Sequence, residues 1–303
     1  SDLLIRKEFT GENTPDQLNL EVQGSHVVIQ NSATDLATTI SGASGSGTDT
    51  VRIPLSAFTG SIMVSTAGGD DIVMLAGAFP RSISIDGGAD DGDQLLLTGV
   101  TATDPGTGTI TVSNSTASAP QVTYTGVETV AVPLIYNVGA AAENLTLRLN
   151  GDDVSLEVVQ NAGEDTEVVK TSKVSSTVSE VRITGSSGDD QFHIDSTMRS
   201  ASAPVIINAG AGRDTLQGPN LVNNWAVTST GTGTLSNSVA VSFTGVESLT
   251  GGDDDDDFRI QHSGSSAINM SIDGGAGGED AILVFGVGAT ATNATTLTLD
   301  GGQ

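Results

Sequence analysis

The residues best suited to chemistry in this sequence are aspartates that follow glycine turns and precede an apolar residue. Glycine adopts positive φ and lets the backbone approach a ligand closely. Aspartate supplies hard oxygen ligands, and the apolar residue begins a strand. This combination suits calcium better than it suits catalysis. The phrase occurs three times, in Gly68–Val73, Gly188–Phe192 and Gly251–Phe258.

A second version of the phrase follows each first one at a nearly constant distance. The spacing from Asp71 to Asp93 is 22 residues, and the spacing from Asp190 to Asp214 is 24. Such a spacing corresponds to about one coil of a parallel β-helix, in which each repeat contacts only its neighbours. Stacked coils would bring the aspartates of successive phrases close together. The second phrases are Ile85–Leu95, Ala209–Leu216 and Ile272–Ile282.

The composition limits both the fold and the partners. Aromatic residues make up 3% of the 303 residues, so any core must consist mainly of Val, Ile, Leu and Ala. Turn-forming residues interrupt the chain every few positions, and no helical apolar stripe is sustained, which predicts an all-β fold. A formal net charge of −26 argues against nucleic acid and anionic membranes as partners. The chain has no cysteine, and no apolar run is long enough to span a membrane.

Short strand-like segments, for example 71–75, 82–86 and 94–98, end at turn residues. Their close and even spacing favours a right-handed parallel β-helix, or β-solenoid. A string of calcium-binding β-sandwich domains of about 120 residues each is the alternative.

The sequence repeats itself over a longer distance, with landmarks offset by about 119 to 127 residues. Leu18–Gly24 aligns with Leu145–Gly151, and Tyr124–Val130 aligns with Phe243–Leu249. Leu297–Gly301 resembles the opening phrase of a further unit. The predicted organisation is a lead-in or the end of a preceding repeat at 1–17, one unit at 18–144, a second at 145–296 and the start of a truncated third at 297–303.

The glycine–aspartate phrases resemble degenerate copies of the RTX, or haemolysin-type, nonapeptide Gly-Gly-x-Gly-x-Asp-x-U-x, where U is large and apolar. Gly185–Phe192 matches except at the second glycine, and Ala209–Leu216 matches except at the first. True RTX arrays run in tandem, whereas each copy here stands alone, with about 13 or more residues between copies. The Thr-Gly-Val-Glu phrases at 125–128 and 244–247 are similar to repeats of very large secreted bacterial surface proteins.

This resemblance implies a calcium role for specific aspartates. In the RTX family, the sixth-position aspartate and the carbonyl groups of the glycine turn coordinate calcium between stacked coils. Carried over by position, the ligands would be Asp71, Asp93, Asp190, Asp214, Asp256 and Asp280. With the adjacent carboxylates of the phrases, the candidate calcium ligands are Asp70, Asp71, Asp93, Asp189, Asp190, Asp214, Asp253, Asp254, Asp256 and Asp280.

A simpler interpretation is that Gly-Asp-Asp is only good turn chemistry, in which aspartate caps local amide groups. Asp253–Asp257 favours a metal most strongly, because five consecutive carboxylates repel one another without a counterion. Gly151-Asp152-Asp153 has a poor glycine pattern and is predicted to be a plain turn. Glu128 and Glu247, at equivalent places in the repeat, are predicted to be exposed strand residues rather than ligands.

Together these features predict a calcium-stabilised extracellular scaffold segment, structural or adhesive, of a large repetitive bacterial surface or matrix protein. Its expected partners are neighbouring repeats, other copies of the chain and cell-surface glycans. Because no signal-like segment follows Ser1, an excised piece or processed product is expected. The chain is not expected to be an enzyme. A polysaccharide lyase or epimerase of the β-helix type and an ice-binding adhesin module, suggested by short threonine ranks, are the alternatives.

Overall fold

The structure is 54% strand and 5% helical, which confirms the all-β prediction. The structure, a computed structural model, describes residues 2–6, 15–32, 35–66, 68–88, 92–103, 108–113, 121–151, 155–236, 238–263, 268–276, 279–287 and 297–300. Among these residues, the only helices are short 3-10 turns at Leu55–Ala57, Ser175–Thr177 and Ser196–Ser200. No helix in the described part of the chain is long and apolar enough to cross a membrane. Asp152 and Asp153, which were predicted to form a plain turn, lie outside the described residues.

The chain divides into two compact units, residues 1–133 and 134–303. The strands of the first unit are β1 (Leu3–Arg6), β2 (Gln17–Gln23), β3 (His26–Asn31), β4 (Thr50–Pro54), β5 (Ile62–Ser65), β6 (Ile72–Ala76), β7 (Ile83–Asp86), β8 (Gln94–Thr98), β9 (Thr101–Thr103), β10 (Thr109–Ser113), β11 (Gln121–Thr125) and β12 (Thr129–Asn137), the last of which extends into the second unit.

Two sheets form the first unit, and the chain alternates between them. One sheet pairs β1, β5, β7 and β11 in parallel, with the antiparallel hairpin β9–β10 beyond β11. The other pairs β2, β6, β8 and β12 in parallel, and the antiparallel strands β3 and β4 extend it beyond β2. Along the chain, each parallel strand of the first sheet is followed by a parallel strand of the second. We call each such strand–turn–strand passage a rung.

The second unit repeats this plan with more strands. They are β13 (Asn144–Leu149), β14 (Ser155–Gln160), β15 (Val168–Val174), β16 (Val178–Thr184), β17 (Gln191–Ile194), β18 (Val205–Asn208), β19 (Thr215–Gln217), β20 (Asn223–Ser229), β21 (Thr232–Ser236), β22 (Val241–Thr244), β23 (Ser248–Thr250), β24 (Asp256–Ser263), β25 (Met270–Asp273), β26 (Ala281–Val287) and β27 (Leu297–Asp300).

One sheet of the second unit has the order β15-β14-β13-β17-β19-β23-β25-β27, with parallel pairing from β13 onward. In the other, β16, β18 and β22 pair in parallel, as do β20, β24 and β26, and the antiparallel strand β21 joins the two groups. Rungs cross between these sheets in both directions. The chain enters the first-named sheet at β17, β19, β23, β25 and β27, and it returns to the other sheet at β18, β20, β24 and β26.

Columns of apolar side chains, stacked in register from rung to rung, form the core of each unit. In the first unit, Leu18, Val73 and Leu95 occupy aligned positions of β2, β6 and β8, and all three are buried. In the second unit, the buried ring of Trp225 stacks on Phe258 of the next rung, with ring centroids 5.5 Å apart. Parallel strands with alternating inward aliphatic residues therefore bury small side chains efficiently, as the composition predicts.

Candidate functional site

A column of four carboxylates, the first ladder, lines the turns of the first unit. Its members are Asp16, Asp71, Asp93 and Glu128, each of which comes shortly or directly before a strand of the same sheet. Asp71 Oδ1 accepts the amide hydrogen of Asp16 at 2.6 Å, and Asp93 Oδ1 accepts that of Asp71 at 2.8 Å. Glu128 Oε2 accepts the amide hydrogen of Asp93 at 2.9 Å. The carboxylates of Asp71, Asp93 and Glu128 thus each bind the backbone of the preceding rung, whereas that of Asp16 accepts a hydrogen bond from the Asn31 side chain.

The second unit has two further columns of the same kind. In the second ladder, the carboxylates of Asp190, Asp214 and Glu247 accept the amide hydrogens of Glu143, Asp190 and Asp214, at 2.7, 2.7 and 2.9 Å. In the third ladder, Asp256 and Asp280 accept those of Asn223 and Asp256, both at 3.0 Å. The ladder aspartates Asp71, Asp93, Asp190, Asp214 and Asp256 are all at most 1% exposed.

The second carboxylate oxygen has different surroundings in different ladder members. Asp190 Oδ2 accepts the amide and the hydroxyl hydrogens of Ser186, at 2.6 and 2.9 Å. Asp256 Oδ2 accepts the amide hydrogen of Gly252 at 2.6 Å. Asp214 Oδ2 is buried and has no hydrogen-bond partner within the described part of the chain. Both carboxylate oxygens of Asp190 and of Asp256 therefore accept hydrogen bonds, one from the preceding rung and the other from their own turn, whereas only one oxygen of Asp214 does so within the described residues.

The glycines of the phrases leave room for these carboxylates. A Cβ atom at Gly185 would overlap the carbonyl oxygen of Ala209 in the next rung and would press on Asp190 Oδ2. At Gly251 it would overlap both the Gly274 carbonyl oxygen and Asp256 Oδ2. The φ angles of Gly185 and Gly251 lie outside the left-handed region, so the requirement at these two positions is space. The buried aspartate therefore requires glycine at this position of the turn, because any larger residue would overlap the carboxylate.

An exposed aspartate precedes the ladder aspartates Asp71, Asp190 and Asp256, and in the second and third ladders it bonds in the opposite direction along the stack. Asp189 Oδ1 accepts the amide hydrogen of Arg213 in the next rung at 2.8 Å. Asp255 Oδ1 does the same for Glu279, also at 2.8 Å. Asp70 lies against Gly92, where any Cβ atom would overlap its carboxylate. Two neighbouring rungs are thus joined by two hydrogen bonds. A buried carboxylate accepts an amide hydrogen of the preceding rung, and an exposed carboxylate accepts one of the next rung. These two roles explain why the aspartates occur in pairs.

The five consecutive aspartates 253–257, of which only Asp256 belongs to the third ladder, have different surroundings. Asp253 Oδ2 accepts a hydrogen bond from the Asn220 side chain at 2.6 Å, and Asp257 lies 3.5 Å from Arg259. Asp254 is exposed, whereas Asp255 and Asp256 bond to the backbone as described above. Alternation along the turn directs these side chains to different sides, so part of the expected repulsion is relieved by local contacts.

Burial raises the pKa of two ladder aspartates. It raises the pKa of Asp256 to about 6, against the opposing effect of the hydrogen bonds from Gly252 and Asn223. It also raises the pKa of Asp214, against the hydrogen bond from the Asp190 amide, and the nearby charges of Asp190, Glu247 and Asp189 raise it further. A buried carboxylate loses hydration that one or two hydrogen bonds do not fully replace.

The raised pKa of Asp256 predicts a stability that decreases as the pH rises from about 4 to about 6. In this window folded Asp256 keeps a proton that the unfolded chain releases, so deprotonation favours unfolding. The contribution is roughly 1–3 kcal/mol. Urea unfolding of the second unit, followed by Trp225 fluorescence, should show this slope in the wild type and a flatter one in Asp256→Asn. The exposed variant Asp254→Asn is the control; an equal flattening in both variants would contradict the assignment.

The structure places the candidate ligands of successive phrases close together, as the sequence predicts. Their carboxylates mainly accept hydrogen bonds from backbone amides. Within the described residues, no three His, Asp or Glu side chains converge in an arrangement that could hold a metal ion. No family model, curated protein or solved structure matches the chain. The chemistry of the ladders therefore has to be argued from their own geometry.

Sequence reasoning missed that Glu128 and Glu247 are ladder members. Both end a ladder by accepting the amide hydrogen of the last aspartate, at 2.9 Å in each case. Their turns, 126–128 and 245–247, contain three residues, whereas the turn before β17 contains six. The shorter turn changes the position of the backbone relative to the preceding rung. The longer glutamate side chain reaches the amide of the ladder aspartate in that rung, as aspartate does from the longer turns. Their equivalent positions in the two repeat units were the available signal.

Proposed function

We propose that the chain is a β-solenoid segment that serves as a structural scaffold in a large, repetitive extracellular protein. The parallel registers of successive rungs and the recurrence of one turn type support the solenoid. The alternative, a string of β-sandwich domains, is supported less, because Greek-key sandwiches are built from antiparallel strands. A scaffold of stacked rungs transmits contacts only between neighbours and can be extended by adding rungs.

The observation that carries the proposal is the role of the repeated residues in the fold. The Gly-Asp-Asp residues of each rung form bonds to the backbone of the adjacent rungs. In a repetitive enzyme or receptor, recurring polar residues would be free to meet a ligand. Here, both carboxylate oxygens of Asp190 and of Asp256 already accept hydrogen bonds, and one of these bonds in each case joins the rung to the preceding rung. A scaffold that resists force requires such links between rungs.

Single-molecule pulling between residues 1 and 303 tests this function. We expect two discrete ruptures, because the chain has two compact units. Their length gains should be about 450 Å and about 580 Å, at roughly 3.4 Å per residue. Asp190→Ala should lower the rupture force of the longer event only. Gradual extension without discrete ruptures would argue against a mechanical scaffold.

We also propose calcium as a second stabilising agent, with Asp214 as its site. One observation favours it there: Asp214 Oδ2 is buried without a hydrogen-bond partner in the described chain, and neighbouring carboxylates raise its pKa. A cation would compensate that charge. Asp190 and Asp256 fit a metal less well, because both of their oxygens already accept hydrogen bonds.

Thermal unfolding with calcium, magnesium or a chelator tests this second proposal. For a site in the 10⁻⁴ to 10⁻³ M class, about 5 mM calcium should raise Tm by roughly 2–9 °C. Asp214→Asn should remove this increase, because it removes the charge, whereas Asp254→Asn should keep it. An equal increase with magnesium would instead indicate general screening of an acidic chain.

A further inference from the structure

Among the strands of the described residues, β26 is an open edge of its sheet. It is the outermost strand beyond β24 and pairs with β24 over its full length in one continuous register. Leu283, Val284 and Phe285 are 52%, 55% and 45% exposed. The strand has no charged side chain, Pro or bulge, which are the usual protections of an edge against pairing with another strand.

The edge strand β15 of the same unit is protected in the usual way. It carries Lys170 and Lys173, and the register with β14 shifts at Val158/Val159. Lysines and bulges discourage a further strand from pairing. The chain therefore blocks one edge and leaves β26 available.

The apolar column beneath β26 is also incomplete. Val227 of β20 pairs with Ile260 of β24, and Ile260 pairs with Val284 of β26. Val227 and Ile260 are buried, but Val284, the last member, is half exposed because no further strand covers it among the described residues. One more inward aliphatic side chain would complete the column.

The third ladder ends differently from the first two. In those, the amide hydrogens of the last aspartates, Asp93 and Asp214, are accepted by Glu128 and Glu247. The amide hydrogen of Asp280, the last aspartate of the third ladder, has no acceptor within the described part of the chain. In the first two ladders this acceptor is the carboxylate of the residue directly before the next strand, β12 or β23.

The first unit shows what such a strand looks like. After Glu128, β12 pairs in parallel with β8, so that Val130 lies opposite Leu95. Val132, two residues later, is buried in the same core. The sequence of this cover is Thr-Gly-Val-Glu-Thr-Val-Ala-Val, residues 125–132.

We propose that β26 is the docking site for a further parallel strand that begins with a carboxylate. The carboxylate accepts the amide hydrogen of Asp280. Aliphatic side chains two and four residues later cover Ile282 and Val284. This proposal rests on the stacked scaffold proposed above and names the chemistry of the segment that extends it, which is β-augmentation specified by one charged residue.

A peptide in trans tests the docking site on the full chain. The acetylated octapeptide of residues 125–132 should slow amide hydrogen exchange of residues 281–287 at least 10-fold at saturation. Exchange in the lysine-protected strand β15, residues 168–174, should not change. The same peptide with Glu128→Ala should bind at least 10-fold more weakly, because the Asp280 amide would be buried without an acceptor.

Two further measurements make the result decisive. Val284→Lys in the protein should abolish peptide binding while leaving the urea midpoint reported by Trp225 nearly unchanged, since the side chain is 55% exposed. Equal binding of the Glu128→Ala peptide would overturn the proposal. So would sedimentation showing a dimer that Val284→Lys dissociates and the peptide does not, because a second copy would then occupy β26. Neither result would affect the ruptures expected on pulling, so this proposal can fail while the scaffold stands.

Discussion

Replacing Gly251 with alanine is expected to destabilise the second unit by about 3 kcal/mol. The added Cβ atom would overlap the carbonyl oxygen of Gly274 and Asp256 Oδ2. The carbonyl belongs to the backbone of the next rung, and the carboxylate accepts hydrogen bonds from Gly252 and Asn223, so neither can move alone. Urea unfolding followed by Trp225 fluorescence reports this unit directly, because Trp225 stacks on Phe258 of the same rung pair.

Gly139→Ala is the matched control for this substitution. Gly139 lies in the same unit and is exposed, and a Cβ atom there would meet no other atom within 4 Å. Its stability should change by less than about 0.5 kcal/mol. Equal urea midpoints for the two variants would show that the close approach between the turns is not required for folding.

The sequence allowed the all-β class, the small-residue core and the recurring turns to be predicted. Each follows from local properties: apolar alternation, β-branched residues and glycine followed by aspartate. The near-constant spacing of the aspartates also predicted that successive phrases lie close together. Asp71 and Asp93, for example, are joined by a hydrogen bond of 2.8 Å between adjacent rungs.

The hydrogen-bond donors that link each carboxylate to another rung could not be predicted, because they belong to the preceding or the next rung, which is distant in sequence. Asp189 and Asp190 are neighbours in sequence, yet one bonds forward to Arg213 and the other bonds back to Glu143. The same holds for Glu128, whose role follows from the length of its turn. Local patterns identify a turn, whereas the stacking of distant segments decides what that turn binds.

The resemblance to calcium-binding nonapeptides directed attention to residues that form the ladders, where the structure gives them backbone partners. Sixth-position aspartates such as Asp190 and Asp256 point inward and accept amide hydrogens of their own and the preceding rung. A glycine turn followed by aspartate suits a buried carboxylate cap as well as an ion site, since both need close backbone approach and hard oxygen atoms. Calcium binding at these turns stays a prediction.

Replacing Asp190 with alanine should have the largest effect of any single carboxylate in the second unit. Asp190 is fully buried and accepts three hydrogen bonds, from the Glu143 amide and from the Ser186 amide and hydroxyl. Its removal leaves two half-buried amide groups without acceptors and a small cavity, for which a loss of about 3–5 kcal/mol is expected. The change should appear as a lower urea midpoint in Trp225 fluorescence.

Asp189→Ala separates this effect from the loss of a negative charge. Asp189 is exposed, belongs to the same turn and accepts one hydrogen bond, from the Arg213 amide. Because water can replace that bond, its removal should lower stability by about 0.5–1 kcal/mol. Both variants remove one negative charge from a chain of net charge −26, so a loss of stability that is specific to Asp190→Ala reports its buried position and hydrogen bonds. If Asp189→Ala proved as destabilising as Asp190→Ala, the forward-reaching carboxylates would be the principal links between rungs and the buried ladder the secondary one.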